Sequence, residues 1–126
     1  MMLFDTDVLI WVLRRNRKAA AAMNQATSRA LSVVSYMELL QGARDKREIK
    51  QIKAFLHDLA FQLLPLSENI GHRASIYLEE YGLSNSLGMA DALIAATASE
   101  SNLPLMTANV KHDRPIREIE LKRFHP

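Results

Sequence analysis

Four polar side chains in this sequence carry oxygen atoms of the kind that bind divalent cations, and each stands beside an apolar run. Asp5 follows MMLF, Asp91 lies near the start of LGMADALIAATASES, and the other two are Glu38 and Asn109. Burying an unpaired carboxylate is costly, so an acid in an apolar helix needs a partner or a cation. Carboxylate and amide oxygens suit Mg²⁺ or Mn²⁺. These residue types therefore predict a metal site built from oxygen ligands alone.

Each acid also has an explanation in local helix structure. Ser35 followed three residues later by Glu38 matches a capping box. Asp91 in a first helical turn favours the positive end of the helix dipole. Asp7 or Thr6 can cap the first helix. The residue types alone leave capping and chemistry both open.

The spacing of apolar residues predicts short strands alternating with helices. Strands are predicted at MMLF, Ala30–Val34, Phe61–Leu66 and Leu103–Met106, with a short edge strand at Leu121–Phe124. Helices are predicted at Val8–Leu13, Lys18–Ser28, from Tyr36 after a Ser35 cap, at Lys46–Leu59, from Ser67 to Gly82, and at Leu87–Ser101. Such alternation predicts a parallel sheet covered on both faces, which binds ligands beyond the carboxyl ends of its strands. Asp5, Glu38, Asp91 and Asn109 are therefore expected at one edge of the sheet.

The composition limits the class of protein. A chain of 126 residues, 48% of them hydrophobic, fits one domain spanning residues 1–126. The absence of cysteine excludes disulfides and cysteine-ligated zinc, and the four histidines do not form a helical metal-binding pair. No apolar run reaches the ~18 residues of a membrane span, and Asp5 comes too early for a signal peptide. We expect a cytoplasmic protein with no membrane segment.

Positive charge is concentrated after the first helix. The net charge is only +2, but Arg14, Arg15, Arg17 and Lys18 form the densest basic cluster in the chain. This cluster is either a solvated helix face or a surface for the phosphates of a nucleic acid. Trp11 beside it is either a core residue or part of a groove for a partner helix.

The segments around these residues resemble a known family. FDTDVLIW, SYMELLQGA, MADALIAATA and LMTANVKH are similar to segments of PIN-domain ribonucleases of the VapC toxin type, over nearly the whole chain. The resemblance implies a three-layer α/β/α sandwich around a parallel sheet. It also implies a divalent-metal-dependent endoribonuclease, usually a homodimer, that a cognate antitoxin protein holds silent.

The resemblance also implies roles for individual residues. Asp5, Glu38 and Asp91 match the family's acidic metal ligands for Mg²⁺ or Mn²⁺, and Asn109 fills a fourth position that is acidic in many members. We expect Asp5 and Asp91 to bind the metal directly, Glu38 to act through water, and Asn109 to contact the substrate or support the catalytic residues. The residues expected to bind the RNA substrate or to support the site are Thr6, Arg14, Arg15, Arg17, Lys18, Thr107, Lys111 and Arg114.

Two positions depart from the family pattern, and one of them allows a rival function. Asp7 stands where asparagine is common, and Asp113 where an aromatic residue is common. LFDTDVLI also resembles haloacid-dehalogenase-like phosphohydrolases, which implies Asp5 as nucleophile and Asp7 as acid and base. Against it, the chain is short for a cap and lacks a clear later acidic pair. In a nuclease, Asp7 is expected to point away from the metal or to cap the first helix.

A third hypothesis is that the protein is a binding module without catalytic activity. The intact acids Asp5, Glu38 and Asp91 argue against this reading, because a protein partner alone does not require them.

Overall fold

A five-stranded parallel sheet forms the centre of the protein in a computed structural model that describes residues 1–126. Its strands are β1 (Met2–Phe4), β2 (Arg29–Ser32), β3 (Gln62–Leu64), β4 (Leu105–Thr107) and β5 (Leu121–Arg123). They lie in the order β3-β2-β1-β4-β5, and every neighbouring pair is parallel. Because β1 is central, the residue that follows it lies between the ends of β2 and β4.

Helices cover both faces of this sheet. They are α1 (Thr6–Leu13), α2 (Arg17–Gln25), α3 (Val33–Gly42), α4 (Lys46–Asp58), α5 (Glu68–Asn85), α6 (Met89–Ser101) and the single turn α7 (Val110–Asp113). Two separate apolar cores result: Leu3 and Ala30 face α5 and α6, whereas Phe4 and Leu31 face α1, α2 and α4. Successive strand residues point to opposite faces of the sheet. The predicted three-layer α/β/α sandwich is therefore confirmed.

The helix starts are fixed by short polar side chains, not always the predicted ones. Ser67 caps α5 as expected, and its hydroxyl accepts from the Ile70 N–H at 3.2 Å. The predicted Ser35 cap is wrong, because α3 begins at Val33 with Ser32 as its cap. The Ser32 hydroxyl accepts from the Val34 N–H at 3.0 Å, so the β-branched pair that suggested a longer strand is helical.

Other elements also differ from the sequence prediction: most boundaries shift by one to three residues, as in α2 and β4, and one helix was unexpected. α5 continues past Gly82 to Asn85 and ends where Ser86 adopts a left-handed conformation with φ 56°. A glycine inside a helix costs only about 1 kcal/mol relative to alanine, so neighbouring packing overrides it. α7 was not predicted, because four residues show no helical period. None of the helices combines the length and apolar character needed to cross a membrane.

Candidate active site

Asp5 occupies the predicted position at the carboxyl end of the central strand. Its backbone N–H donates to the Met106 carbonyl at 2.9 Å, which ties it to β4. Its Oδ1 accepts from the Thr6 N–H at 2.7 Å, so Asp5, and not Asp7 or Thr6, is the cap of α1. Its Oδ2 accepts from the Thr107 hydroxyl at 2.8 Å. Burial raises the pKa of Asp5 to about 7, and the negative charge of Asp7 is the second largest cause of this rise.

Asp7 lies beside Asp5 and does not point away from it. Its Oδ2 accepts from the Ala108 N–H at 3.1 Å and lies 3.3 Å from the Thr107 hydroxyl that also contacts Asp5. Its Oδ1 is buried and has no hydrogen-bond partner. Burial raises the pKa of Asp7, although the Ala108 N–H opposes the shift. The expected capping role of Asp7 is wrong, because its side chain joins α1 to the segment after β4.

Glu38 is held at the site through a hydroxyl. The Thr6 hydroxyl donates to Glu38 Oε1 at 2.7 Å and lies 2.9 Å from the Ser35 hydroxyl. Ser35 is fully buried within α3, and Glu38 makes no bond to a helix N-terminus. The capping-box explanation of Glu38 is therefore excluded. Thr6 is only 8% exposed, so its hydroxyl positions the Glu38 carboxylate from inside the protein.

Asp91 lies at the positive end of a helix dipole, as its position in the sequence predicted. It lies in the first turn of α6, and its Oδ2 accepts from the Gly88 N–H at 3.2 Å. This bond, together with the dipole of α6, stabilises the charged carboxylate. The charge of Asp91 also reaches a neighbouring acid, Asp113. A capping contact therefore coexists with a place in the acidic cluster.

Asp113 is an acid of this cluster that sequence reasoning did not assign. It ends α7, is 3% exposed, and its Oδ1 has no hydrogen-bond partner. Burial raises its pKa to about 7, and the charges of Asp91 and Asp7 add to the shift. The signal available in the sequence was an acid where the resembled family has an aromatic residue. Burial of that position was needed to interpret it.

Asn109 does not join the acids through its side chain. It is exposed and stands before α7, where its side chain makes no capping hydrogen bond. Its backbone N–H donates to the Thr107 hydroxyl oxygen at 3.1 Å. The buried Thr107 hydroxyl is thus fixed by Asn109 on one side and contacts the carboxylates of Asp5 and Asp7 on the other.

Comparison with known proteins identifies the family. Residues 2–117 match the sequence profile of the PIN domain. The chain belongs to the PIN-domain family. It is 38% identical over 118 residues to ribonuclease VapC10 of Mycobacterium tuberculosis, covering 89% of this chain and 85% of that protein. Ribonuclease VapC1 of Methanocaldococcus jannaschii is 28% identical over 124 residues, covering 98% of this chain and 86% of that protein.

Solved structures show the same PIN-domain architecture. A toxin-antitoxin complex from Klebsiella pneumoniae aligns with a TM-score of 0.78 and 30% identity, over 94% of this chain and 95% of that one. VapBC2 from Rickettsia felis, bound to a DNA fragment from its promoter, aligns with a TM-score of 0.82 and 18% identity, over 98% of both chains. The resemblance to PIN-domain proteins of the VapC type is therefore confirmed.

The acids of this PIN domain provide the donor chemistry of a hard cation. All the candidate ligands are oxygen atoms, and Oδ1 of both Asp7 and Asp113 is buried without a partner. Buried carboxylate oxygens need a hydrogen bond or a cation, so these atoms fit a Mg²⁺ or Mn²⁺ ion nearby. No group of three or more histidine, aspartate or glutamate side chains is already arranged to hold an ion.

The basic side chains of the PIN domain lie at different distances from the acids. Arg14, Arg15, Arg17, Lys18 and Lys111 are exposed, and none is paired with a carboxylate. Arg14 and Glu38 line the same cleft of about 610 Å³ between α1, α3 and α4. Lys111 lies on α7 beside the acidic edge. Arg15, Arg17 and Lys18 follow the far end of α1, about 12 Å from its start at 1.5 Å per residue.

The same cleft has an apolar wall. Ile10, Leu13, Leu39 and Ile52 line it together with Arg14 and Glu38. Trp11, the residue expected to mark a groove, instead packs against the core beneath α1. The groove predicted near Trp11 is therefore displaced to the neighbouring residues of α1, where it reaches the acidic edge.

Proposed function

We propose that this PIN-domain protein is a divalent-metal-dependent endoribonuclease and the toxin of a toxin-antitoxin pair. The observation that carries the proposal is the acidic edge, where the Thr107 hydroxyl contacts both Asp5 and Asp7 and the Thr6 hydroxyl holds Glu38 nearby. The charges of Asp91 and Asp7 also contribute to the raised pKa of the buried Asp113. The names of the ribonuclease relatives and of the toxin-antitoxin structures support the same conclusion.

Asp5 and Asp91 would hold Mg²⁺ or Mn²⁺, with Glu38 acting through water. The bound ion supplies Lewis-acid stabilisation of charge on the phosphate and orients the attacking water. The Thr107 hydroxyl and the Thr6 N–H fix the two oxygens of Asp5 in different directions. Thr6 leaves one oxygen of the exposed Glu38 carboxylate free to orient water. Arg14 and Lys111 bind phosphates of the RNA on either side of the acids.

The geometry of the site argues against the two alternative functions, a phosphohydrolase and a binding module without activity. A phosphohydrolase needs Asp7 free to donate a proton to the leaving group. Here Asp7 Oδ2 accepts from the Ala108 N–H and its Oδ1 is buried. The side chain therefore joins α1 to the segment after β4 and is not exposed to a leaving group. A binding module without activity has no use for buried acids that raise one another's pKa.

The partner is an antitoxin whose segment fills the cleft between α1, α3 and α4. Ile10, Leu13, Leu39 and Ile52 offer apolar contacts, and Glu38 at the end of the cleft offers a carboxylate to an arginine. An arginine there opposes metal binding by supplying its own positive charge. We further propose a homodimer that acts in the cytoplasm.

Incubation with total RNA tests this function directly. We expect cleavage with Mg²⁺ or Mn²⁺ and none with EDTA. Asp5→Ala, Glu38→Ala and Asp91→Ala should each lower the single-turnover rate by about a hundredfold or more, the scale of a lost catalytic group, while circular dichroism shows a folded protein. Asp58→Ala, which removes an exposed acid of α4, should cleave like the wild type. Unfolding of all three variants would favour the structural explanation of these acids.

A further inference from the structure

The sheet has a free edge at β3 that exposes apolar side chains. β3 pairs only with β2, so no strand covers its other side. Leu63 within the strand is 46% exposed, and Leu66 shortly after it is 44% exposed. An open strand edge presents unpaired backbone N–H and C=O groups, which allow a further strand to join. β3 is short and Pro65 follows it, so side-chain contacts must supply most of the selectivity.

A small apolar cavity lies beside this edge, on the α4 side of the sheet. It has a volume of about 220 Å³, and its apolar lining consists of Leu31, Tyr36, Leu56, Phe61 and Leu63. Small-molecule sites usually measure roughly 300–1,000 Å³. The cavity is therefore suited to one or two apolar side chains of a polypeptide and not to a cofactor.

The turn between α4 and β3 forms this cavity before any partner binds. The Ala60 N–H donates to the His57 carbonyl at 3.0 Å, and the Phe61 N–H donates to the Leu56 carbonyl at 2.9 Å. These bonds form a Schellman motif, with Ala60 in the left-handed conformation at φ 52°. The Phe61 ring also packs edge-on against Phe4, with the ring centroids 5.9 Å apart. Because Leu56 and Phe61 are fixed, little free energy is lost to ordering of this surface when a partner binds.

One face of α4 adds positive charge to the rim of the cavity. Lys46, Lys50, Lys53 and His57 recur at helical spacing and form a basic stripe about 16 Å long, at 1.5 Å per residue. All four side chains are exposed; the three lysines form no ion pair, and His57 pairs only with the exposed Asp58. Lys53 and His57 also line the cavity. Uncompensated positive charge beside an apolar cavity favours a partner that combines carboxylates with an apolar side chain.

The basic stripe lies on the flank of α4 that is turned away from the cleft of the candidate active site. Glu48 and Gln51 line that cleft, whereas Lys53 and His57 line the small cavity. Glu48 and His57 are about two and a half turns apart at 3.6 residues per turn, so they lie on opposite sides of the helix. RNA that reaches Glu38 through the cleft therefore does not pass along the stripe.

We propose that the open β3 edge, the small cavity and the basic stripe together form a docking surface for an extended, acidic segment of a protein partner. An apolar side chain of the segment fills the cavity, its carboxylates pair with the stripe, and its backbone extends the sheet at β3. A second copy of this chain does not suit the surface. Antiparallel pairing of two β3 edges brings two basic stripes to the same face of the joined sheet, where they repel each other. RNA phosphates match the lysines but leave the apolar cavity empty. The surface is separate from the acids, so the inference does not depend on the proposed nuclease activity.

A labelled peptide tests the proposal by fluorescence anisotropy on the full chain. The peptide is short and carries one central leucine, flanked on both sides by threonine and glutamate. We expect Lys53→Glu and Leu63→Ser each to lower its affinity by about tenfold or more, because charge attraction or the burial of a leucine is lost. Arg123→Glu on the opposite edge strand and Leu83→Ser at a fully exposed leucine of α5 are the matched controls and should bind like the wild type. Amide hydrogen exchange at β3 should slow when the peptide binds.

Several results would overturn the proposal. No peptide binding at about 1 mM, or equal binding by Lys53→Glu and Arg123→Glu, excludes the docking surface. Slower exchange at α1 and α3, with none at β3, assigns the peptide to the cleft instead. Single-stranded RNA that displaces the peptide in EDTA makes the surface a nucleic-acid site, and a dimer that Leu63→Ser dissociates makes it an interface between copies. Should Leu63→Ser not fold, Leu63→Thr, which keeps a residue suited to strands, replaces it and must bind the peptide more weakly than Leu83→Ser.

Discussion

Two threonine hydroxyls fix the carboxylates of the candidate site. Thr107 contacts Asp5 and Asp7 from β4, and Thr6 contacts Glu38 from α1. Both threonines are buried, so water does not compete for these bonds. Asp5, Asp7 and Glu38 are thus positioned by neutral donors before any ion binds. Burial is the main cause of the raised pKa values of Asp5 and Asp7, and the hydrogen bonds from these neutral donors oppose the rise only in part.

Asp7→Asn tests the part that Asp7 plays beside Asp5. An asparagine oxygen can still accept from the Ala108 N–H, while one negative charge next to Asp5 is lost. We expect this variant to retain most RNA cleavage and to lower the pKa of Asp5. Single-turnover RNA cleavage and phosphomonoester hydrolysis, compared with Asp5→Asn, measure the effect. Hydrolysis of phosphomonoesters that needs both acids, without RNA cleavage in Mn²⁺, would contradict the nuclease.

The raised pKa values predict how stability depends on pH in the absence of metal. The pKa values of Asp5 and Asp113 rise from the ordinary 3.8 to about 7, mainly through burial. The folded protein therefore binds protons more readily than the unfolded chain, and stability is lost as pH rises through this interval. In EDTA, the Tm should fall as the pH rises from about 4 to about 7 and change little above that interval. Asp113→Asn should flatten this slope, and an unchanged slope would show that Asp113 does not titrate there.

Sequence reasoning located Asp5, Glu38 and Asp91 at this edge of the sheet but did not assign Asp113 to it. Asp5, Glu38 and Asp91 stand next to apolar runs, and a parallel sheet brings the ends of such runs to one edge. Asp113 stands in a polar segment, HDRP, with no apolar period around it. Only the packing of α7 against α6 shows that this position is buried. A departure from a family pattern was therefore informative, but only once its burial was known.

At the scale of the elements, the junction between β2 and α3 decides what Glu38 can do. Had Ser35 capped α3, Glu38 would have turned back to that helix terminus. Because Ser32 is the cap, Ser35 lies one turn inside the helix and faces Thr6. The sequence offered two serines three residues apart, and local propensity does not distinguish them. The sheet distinguishes them, because Ser32 ends the strand that pairs with β3 through Leu64.

Ser32→Ala should therefore destabilise the protein by about 1 kcal/mol, the usual cost of a lost helix cap. Urea denaturation measures this free energy of unfolding. Ser35→Ala should lower the rate of RNA cleavage by more than its loss of stability explains, because the substitution loosens the Thr6 contact with Glu38. Ser101→Ala, at an exposed helix end, is the control. Equal stability of Ser32→Ala and the control would contradict the observed cap.

At the scale of the whole molecule, the acids and the basic residues form separate surfaces joined by one cleft. Arg14 lines the cleft with Glu38, whereas Arg17 and Lys18 lie beyond the far end of α1. The sequence predicted the basic cluster as one unit. The turn between α1 and α2 divides it, because Arg14 follows the end of α1 whereas Arg17 and Lys18 begin α2, and Arg15 in the turn has a φ of 64°.

Arg14→Gln should weaken binding of a catalytically inactive Asp5→Asn protein to RNA and reduce the dependence of affinity on salt. One lost phosphate contact lowers that logarithmic slope by about 0.7 for single-stranded nucleic acid. Binding titrations between about 50 and 200 mM salt measure it. Lys53→Gln, on the exposed face of α4, is the matched control and should keep the original slope. A slope equal to that of the control would place the RNA away from the cleft.

The contact between Asp5 and the Thr107 hydroxyl joins residues 102 positions apart in the chain. During translation, Asp5, Glu38 and Asp91 are all made before Thr107. A nascent chain therefore carries the acids of the proposed metal site before β4 exists, so it lacks the central strand pairing that gathers them. For a protein proposed to cut RNA, this order has a practical result: the growing chain cannot act on RNA until β4 has been made and has paired with β1.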